Sequence, residues 1–477
     1  MILALEGVNQ YFLSVAALFL ILLLGGWFLL HLHAFYLRHP LKTFSALPFE
    51  TGAGEMWRSL GGAVGVGNIF GVAAALSLGG AGALFWMWAG AFFSMGIKYA
   101  EITLGMLPHR GGWSGAVGYI RDAFGKGMAV AFAALLVLES LLMGGMLQSR
   151  AIAQTAALAL KTPPSVCGLV LCALLGLALW KAGSGKGLSG ILVPLACGGY
   201  LLLCLCVIFR HAERLPHVFA QIFCDAFTPR APLGILGTPA MRQGIAKGIF
   251  SSEAGCGTAP TAHQSAKGTT PAAQGLFGVF EVFVDTLLLC TATGLSILLT
   301  NGGRLSAYRN AEARLCVDTF ADLLPRAAAA VVFVFVFLFA FETLLAFFAY
   351  SRQVLTAFAL PRPLRAAAIF LFFCAVAFGA GAGGHALWTL SDFFLLCMLL
   401  CSTGALFCGR YRVTDAFERQ IGKDFSSLSK RPSHSRAGRQ KESPMSESAI
   451  KRGERSFCTQ NRAKSGVSPL APQKPMP

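Results

Sequence analysis

The sequence predicts an all-α polytopic membrane protein of about eleven transmembrane helices, and three observations carry that prediction. Hydrophobic residues make up 55% of the chain against 13% charged, whereas soluble domains carry about 25% charged residues; mean hydropathy is +0.63. Apolar runs long enough to cross a bilayer, roughly 17–25 residues each, recur from Tyr11 to Cys408. Fifty-four glycines lie among them, which suits helices packed closely in lipid, where small residues let backbones approach.

Taken in chain order, spans are expected near 14–36, 56–79, 83–107, 127–149, 165–181, 188–209, 242–262, 272–300, 327–350, 364–383 and 386–408. The first, around Leu18–Leu30, is too long for the core of a signal peptide and reads as a retained helix. The longest loops, Arg210–Pro239 and Asn301–Arg326, have room only for short helices. A transmembrane domain over 1–409, with halves at about 50–209 and 240–408, is followed by a basic tail over 410–477. The tail holds fifteen Lys/Arg against six Asp/Glu, and from Ser426 it is rich in Ser, Pro, Lys and Arg, a composition expected to stay disordered. The net charge of +17 is therefore concentrated where it anchors topology and gives no sign of a nucleic-acid partner. The fourteen cysteines show neither CxxC nor Cys/His ligand spacing, so no disulfide framework or metal centre is indicated.

Lys and Arg placement puts His31–Lys42, the loop with His109, Arg110, Arg121 and Lys126, and the tail on the cytoplasmic side, with the N-terminus outside. Arg210, Arg214, Arg304 and Arg314 on the other side run against this rule. The expected location is a plasma membrane, in a bacterium the inner one.

Two spans differ from the rest. The second contains Gly61-Gly62-Ala63-Val64-Gly65-Val66-Gly67-Asn68-Ile69-Phe70-Gly71, and the seventh contains Ser251-Ser252-Glu253-Ala254-Gly255-Cys256-Gly257-Thr258-Ala259-Pro260. Glycine disfavours helix, so each run predicts a break in mid-membrane, tolerable only where the freed backbone groups line a cavity or bind something. Close packing of glycine-rich helices is the plainer alternative for either run alone. With the first span set aside, however, spans two to six and seven to eleven form two sets of five, each beginning with a break. That arrangement points to an inverted-repeat transporter with its site at the midplane.

At these residues the sequence resembles the alanine or glycine:cation symporter family, also called sodium:alanine symporters. Val64-Gly65-Val66-Gly67-Asn68-Ile69-Phe70-Gly71-Val72-Ala73 is similar to the family's VGTGNIxGVA. Gly79-Gly80-Ala81-Gly82-Ala83-Leu84-Phe85-Trp86-Met87-Trp88 followed by Lys98-Tyr99-Ala100-Glu101 matches GGxGAxFWMW and KYAE. Phe250-Ser251-Ser252-Glu253-Ala254-Gly255-Cys256-Gly257-Thr258-Ala259-Pro260-Thr261-Ala262-His263 resembles FSNEAGxGSAPxAH. The resemblance covers roughly residues 10–410 and implies a LeuT-type core of two inverted five-helix repeats after one extra helix. It also implies a secondary active symporter that takes up alanine or glycine with sodium as the coupling ion, as a monomer in the lipid bilayer, without an enzymatic activity or other cofactor.

An amino-acid zwitterion in a low-dielectric site needs donors for its carboxylate and acceptors for its ammonium. The substrate-binding candidates are Gly65, Gly67, Asn68, Gln148, Ser251, Ser252 and Gly255; a plain helix–helix hydrogen bond is the alternative for Gln148. Val64, Glu253, Asp285, Glu342 and Thr343 are the candidates for cation binding or gating, Asp285 because a lone carboxylate deep in a span is functional by default. Lys98 and Glu101, one turn apart, are expected to form a structural or gating ion pair along their helix.

Departures from the family pattern bear on coupling. Val66 replaces a threonine, Ser252 an asparagine, and Gly145 and Arg150 stand for two asparagines near Gln148. Leu395, Cys401 and Ser402 replace Asn, Pro and Asn in the last span. The stretch Phe339-Ala340-Phe341-Glu342-Thr343 puts a glutamate where the family's FAF[ST]T supplies a hydroxyl. A carboxylate there binds a cation more strongly, carries a proton if burial keeps it neutral, or turns aside to pair with an arginine. Glu281, one turn from Asp285, adds a second carboxylate. The alternatives to sodium symport are thus a proton-coupled relative, or a non-transporting amino-acid sensor or scaffold.

Overall fold

The computed structural model describes residues 14–182, 186–228 and 238–422, and among these every regular element is helical. Helix α1 (Ser14–His31) lies against α4 (Gly82–Met106). Gly25 makes that contact possible, since a Cβ there would sit 2.7 Å from the Phe93 Cβ. Between them, α2 (Phe49–Ala63) and α3 (Phe70–Gly79) meet at a bend of 54° through the short turn Val66–Asn68. A surface helix, α5 (Gly115–Phe124), leads into α6 (Lys126–Leu160), whose middle, Ser140–Leu147, is wound as a π-helix. Helices α7 (Pro164–Ala182), α8 (Lys186–Arg210) and the short α9 (Leu215–Ala226) complete the first half.

The second half opens with α10 (Pro239–Ser252) and α11 (Thr258–His263), separated by a five-residue break. Helix α12 (Pro271–Tyr308) contains a second π-segment at Phe283–Cys290. The short α13 (Glu312–Ala321) precedes α14 (Ala328–Ala357), α15 (Arg362–Gly379) and α16 (Gly384–Phe417). Six of these helices are long and apolar enough to cross a membrane, and the bent α2–α3 pair makes a seventh.

Packing follows the order of the two halves. The helix after each break, α4 or α12, packs along its counterpart, and so do the next two, α6 and α14. Gly278 brings α12 onto α4, where a Cβ would meet the Lys98 carbonyl at 2.7 Å. Gly144 likewise brings α6 onto Phe347 of α14. The two broken elements lie against these pairs, and α3 packs along α10.

Two boundaries differ most from the sequence expectation. Helix α6 runs on to Leu160, because Gln148–Leu160 keeps an amphipathic face after the apolar run ends. The last helix does not stop at 409. It continues through Arg410, Arg412 and Asp415 to Phe417, with a π-turn to Gly422, so the first part of the supposed tail is helical. Val413 and Phe417 are buried, and Phe417 stacks near Phe35 and Tyr99, which is why the charged stretch stays in register with the core. Residues 423–477, which hold most of the expected disordered tail, lie outside the described residues.

Candidate substrate and cation site

Each break frees backbone groups that must find partners in a medium without water. At the first, Val64 turns out of the helix while its N–H still reaches the Leu60 carbonyl at 2.6 Å. The Val66 N–H goes to Oε1 of Gln148 at 3.3 Å, and Nε2 of Gln148 donates to the Met143 carbonyl in the π-segment of α6. Thr343 Oγ1 donates to the Gly61 carbonyl at 3.1 Å. Gly65 is squeezed between Thr343 and Gln148, where a Cβ would lie 2.5 Å from Thr343 Oγ1. In this conformation Gln148 thus makes the plain hydrogen bond of its alternative reading, directed at the break itself.

The second break is satisfied from α4. Lys98 Nζ donates to the Ser252 carbonyl at 2.7 Å, at the C-terminal end of α10. Glu101 Oε2 accepts the Gly257 N–H at 3.1 Å, at the start of α11. A cation at a helix C-terminus and an anion at an N-terminus are each the favourable sign. The break between them uses left-handed backbone at Glu253 (φ 51°), Gly255 (φ 83°) and Gly257 (φ 81°). The expected Lys98–Glu101 ion pair is therefore not formed. Lys98 pairs with Glu281 Oε2 at 3.2 Å, because α12 lies close enough to offer that carboxylate. Glu281 also accepts from Ser59 at 2.9 Å and from His263 at 2.8 Å, so it is fully partnered and not a lone neighbour for Asp285. Nε2 of Gln274 faces the Gly52 carbonyl and Nδ1 of His263.

The two breaks touch. A Cβ on Gly67 would lie 3.2 Å from the Ser251 Cα and 3.3 Å from the Phe250 ring. Asp285, inside the π-segment of α12, ties them together. Its carboxylate accepts from Asn68 Nδ2 at 2.7 Å, from Ser251 Oγ at 3.0 Å and from Thr286 Oγ1 at 2.7 Å. The Cys290 thiol completes the cluster, 3.3 Å from Ser251 Oγ. The Asn68 Oδ1, the Ser252 hydroxyl and Glu253 Oε1 are buried without a partner.

Several candidates fall elsewhere. Gly255 packs against Leu399 and Thr403 of α16, away from the Asp285 cluster. Glu342 lies 2% exposed on α14 beside Gly61, with Ser189 and Cys197 of α8 as its polar neighbours. Beyond the Ser189 hydroxyl, no donor among the described residues meets its oxygens, and no arginine approaches it. Glu139 is a residue the sequence reading misses, although a glutamate in the apolar run Leu138-Glu139-Ser140 is the same signal that marks Asp285. It is fully buried, accepts from Ser391 at 2.6 Å and immediately precedes the π-segment of α6.

A cavity of about 600 Å³ lies toward the face where α3 ends and α10 begins; it reaches Val66 beside the first break, but Gly67, Asn68, Gln148, Ser251 and Asp285 do not line it. Its floor is Val66, Leu147 and Ile249, and its walls carry Arg150, Lys247 and Asp392. Lys247 is 3.0 Å from Asp392 and 4.3 Å over the Trp388 ring. Toward the opposite face the breaks are covered by the Lys98–Glu281–His263 network and by Arg58, which donates to the Ala262 carbonyl at 2.5 Å. The cluster itself is closed over, with Asn68, Ser251 and Asp285 fully buried and the cavity on one side of it.

A sequence profile of the sodium:alanine symporter family matches residues 4–426. The chain belongs to that family. It is 34% identical over 361 residues to a sodium/alanine symporter of Methanococcus maripaludis, covering 70% of this chain and 76% of that one. It is 30% identical to a sodium/proton-dependent alanine carrier protein of a Bacillus species (strain PS3), over 77% and 88% of the two chains. Among solved structures, a point mutant of a manganese transporter of Eremococcus coleocola superposes with a TM-score of 0.52 at 16% identity, covering 75% of this chain and 78% of that one. The symporter chain therefore shares the fold of a membrane transporter, consistent with its all-helical build.

Proposed function

We propose that the protein is a secondary active symporter carrying alanine or glycine with a cation, sodium in the first reading, across a plasma membrane by alternating access. The observation that carries the proposal is the meeting of two mid-span breaks at Gly67 and Ser251, tied through Asp285, beside a cavity that reaches Val66 of the first break and Ile249 near the end of α10. Asn68 and Ser251 offer polar groups to a zwitterion, while the first N–H groups of α3 suit its carboxylate. Family membership supports the cargo, and the counterpart packing of α4 on α12 and of α6 on α14 supports a LeuT-type inverted repeat of eleven spans. Under the proposed orientation, with the N-terminus outside, the cavity faces outward. The buried charge favours a cation: Glu101, Glu253, Glu281 and Asp285 all lie close enough to Lys98 to act on its charge, and such a gathering of carboxylates in lipid calls for cations or protons.

A proton-coupled second reading is favoured by Glu342. A buried carboxylate with no donor beyond one serine hydroxyl is far less costly neutral than charged, and this one adjoins the Thr343–Gly61 bond of the first break. Uptake of labelled alanine and glycine into proteoliposomes under separate sodium and proton gradients tests both. Uptake driven by sodium alone removes the proton reading. Binding of alanine without uptake under either gradient overturns symport and favours a sensor.

A further inference from the structure

A second cavity, of about 320 Å³, lies away from the breaks, between α6, α14 and the start of α15. Its walls are apolar: Val137 and Leu141 of α6, Phe348 and Leu355 of α14, Ile369 and Phe372 of α15. Its mouth, at the turn joining α14 to α15, carries Arg352, Arg362 and Arg365, and no carboxylate lines it. None of the three arginines makes an ion pair among the described residues. Two polar atoms at the cleft are buried and unpartnered, Nε of Arg365 and the hydroxyl of Ser351, a residue only 9% exposed. Beside it, α15 presents Leu364, Phe370 and Leu371 outward, each more than half exposed, which places the cleft at the lipid boundary.

We propose that this cleft binds one anionic phospholipid, with its phosphate on Arg352, Arg362 and Arg365 and part of an acyl chain along the apolar walls. Three uncompensated guanidinium groups at the end of a span match a phosphate diester, and arginine serves that geometry through its forked donors. Ser351 and the Arg365 Nε–H supply donors to the glycerol and ester oxygens just below the phosphate. A water-borne anion would satisfy the arginines but leave the apolar walls uncovered, so the occupant is an amphiphile. The bound lipid braces α6 against α14, which carry Gln148 and Thr343 at the first break.

Native mass spectrometry on the full-length protein tests this, after equilibration in detergent with equal phosphatidylcholine and phosphatidylglycerol. The wild type should retain phosphatidylglycerol in preference to phosphatidylcholine. R362Q/R365Q should lower that retention roughly thirtyfold, since each of the two basic residues near a membrane surface contributes on the order of 1 kcal/mol toward anionic lipid. A368F fills the cleft without touching a charge and should also lose the lipid. R38Q/K42Q removes two charges elsewhere and should keep it. Equal retention of the two lipids, equal loss in R38Q/K42Q and R362Q/R365Q, or displacement by inorganic phosphate would each overturn the proposal.

Discussion

Asp285 holds three donors from three segments, and its neighbours have few alternatives. Replacing it by asparagine leaves one oxygen and puts an amide donor against Asn68, Ser251 or Thr286. Hydrogen bonds to charged groups are worth about 1.5–3 kcal/mol each, so Asp285→Asn should cut alanine uptake about tenfold to a hundredfold while the purified protein still elutes as the wild type does on gel filtration. Gly67→Ala forces a methyl group toward the Ser251 backbone and the Phe250 ring. Overpacking of that kind costs about 1–3 kcal/mol; a lowered Tm together with lost uptake is the expected pair of readings. Glu342→Gln should leave sodium-driven uptake in place and remove any component driven by a proton gradient, whereas an unchanged proton component would clear Glu342 of that role. Asp285 is legible because a carboxylate inside an apolar run has no cheap explanation. Glu139 gives the same signal, but no motif accompanies it, and the bonding of Gln148 to a break depends on a neighbour eighty-two residues away.

Among elements, the second break shows where one-dimensional reading stops. The glycine run announces the break, but the spacing of Lys98 and Glu101 suggests a bond within α4. Their partners are instead the open ends of α10 and α11, brought close because Gly244 lets α10 sit on α4 at Ala83 and Gly105 of α4 makes room for Pro260 of α11. Lys98→Met leaves the Ser252 carbonyl without its donor and Glu281 without its ammonium partner, and removing one partner of a buried pair costs about 3–5 kcal/mol. It should destabilise the protein more than Glu101→Gln, which keeps an acceptor for the Gly257 N–H; thermal unfolding of the two variants checks the order. At the surface, α5 is held to the end of α16 by Asp122, which meets His109 at 2.7 Å and Arg412 at 3.3 Å. Partial burial pushes the Asp122 carboxyl up, but His109, the Arg110 N–H and Arg412 outweigh it and hold it below the usual carboxylate range. A depressed native pKa stabilises above the unfolded value, and that contribution is lost as pH falls through the native one. Wild-type thermal stability should therefore drop in acid more than that of Asp122→Asn, and equal drops would count against the contact.

Over the whole molecule, the glycine-rich breaks and the apolar runs make an all-helical membrane architecture readable, since both follow from local composition. The placement of the cavity on one side of the breaks is not readable, because it depends on which distant side chains close the other face. Membrane-impermeant maleimide should label Ala246→Cys, which lines the cavity, in resting proteoliposomes, and Ala262→Cys, bonded to Arg58 on the closed side, should stay unlabelled until substrate and driving ion are both present. Labelling of Ala262→Cys at rest would contradict the closed face. The network that closes that face joins Lys98, Glu281, His263, Gln274 and Arg58, and breaking it unassisted would strand several buried polar groups at once. A conformational change can be driven only by the difference in affinity that ligands have for the two states. An empty carrier therefore returns slowly while a loaded one turns over freely, so swapping of internal for external alanine should outpace net accumulation, and the membrane should leak little of its ion gradient when no amino acid is present.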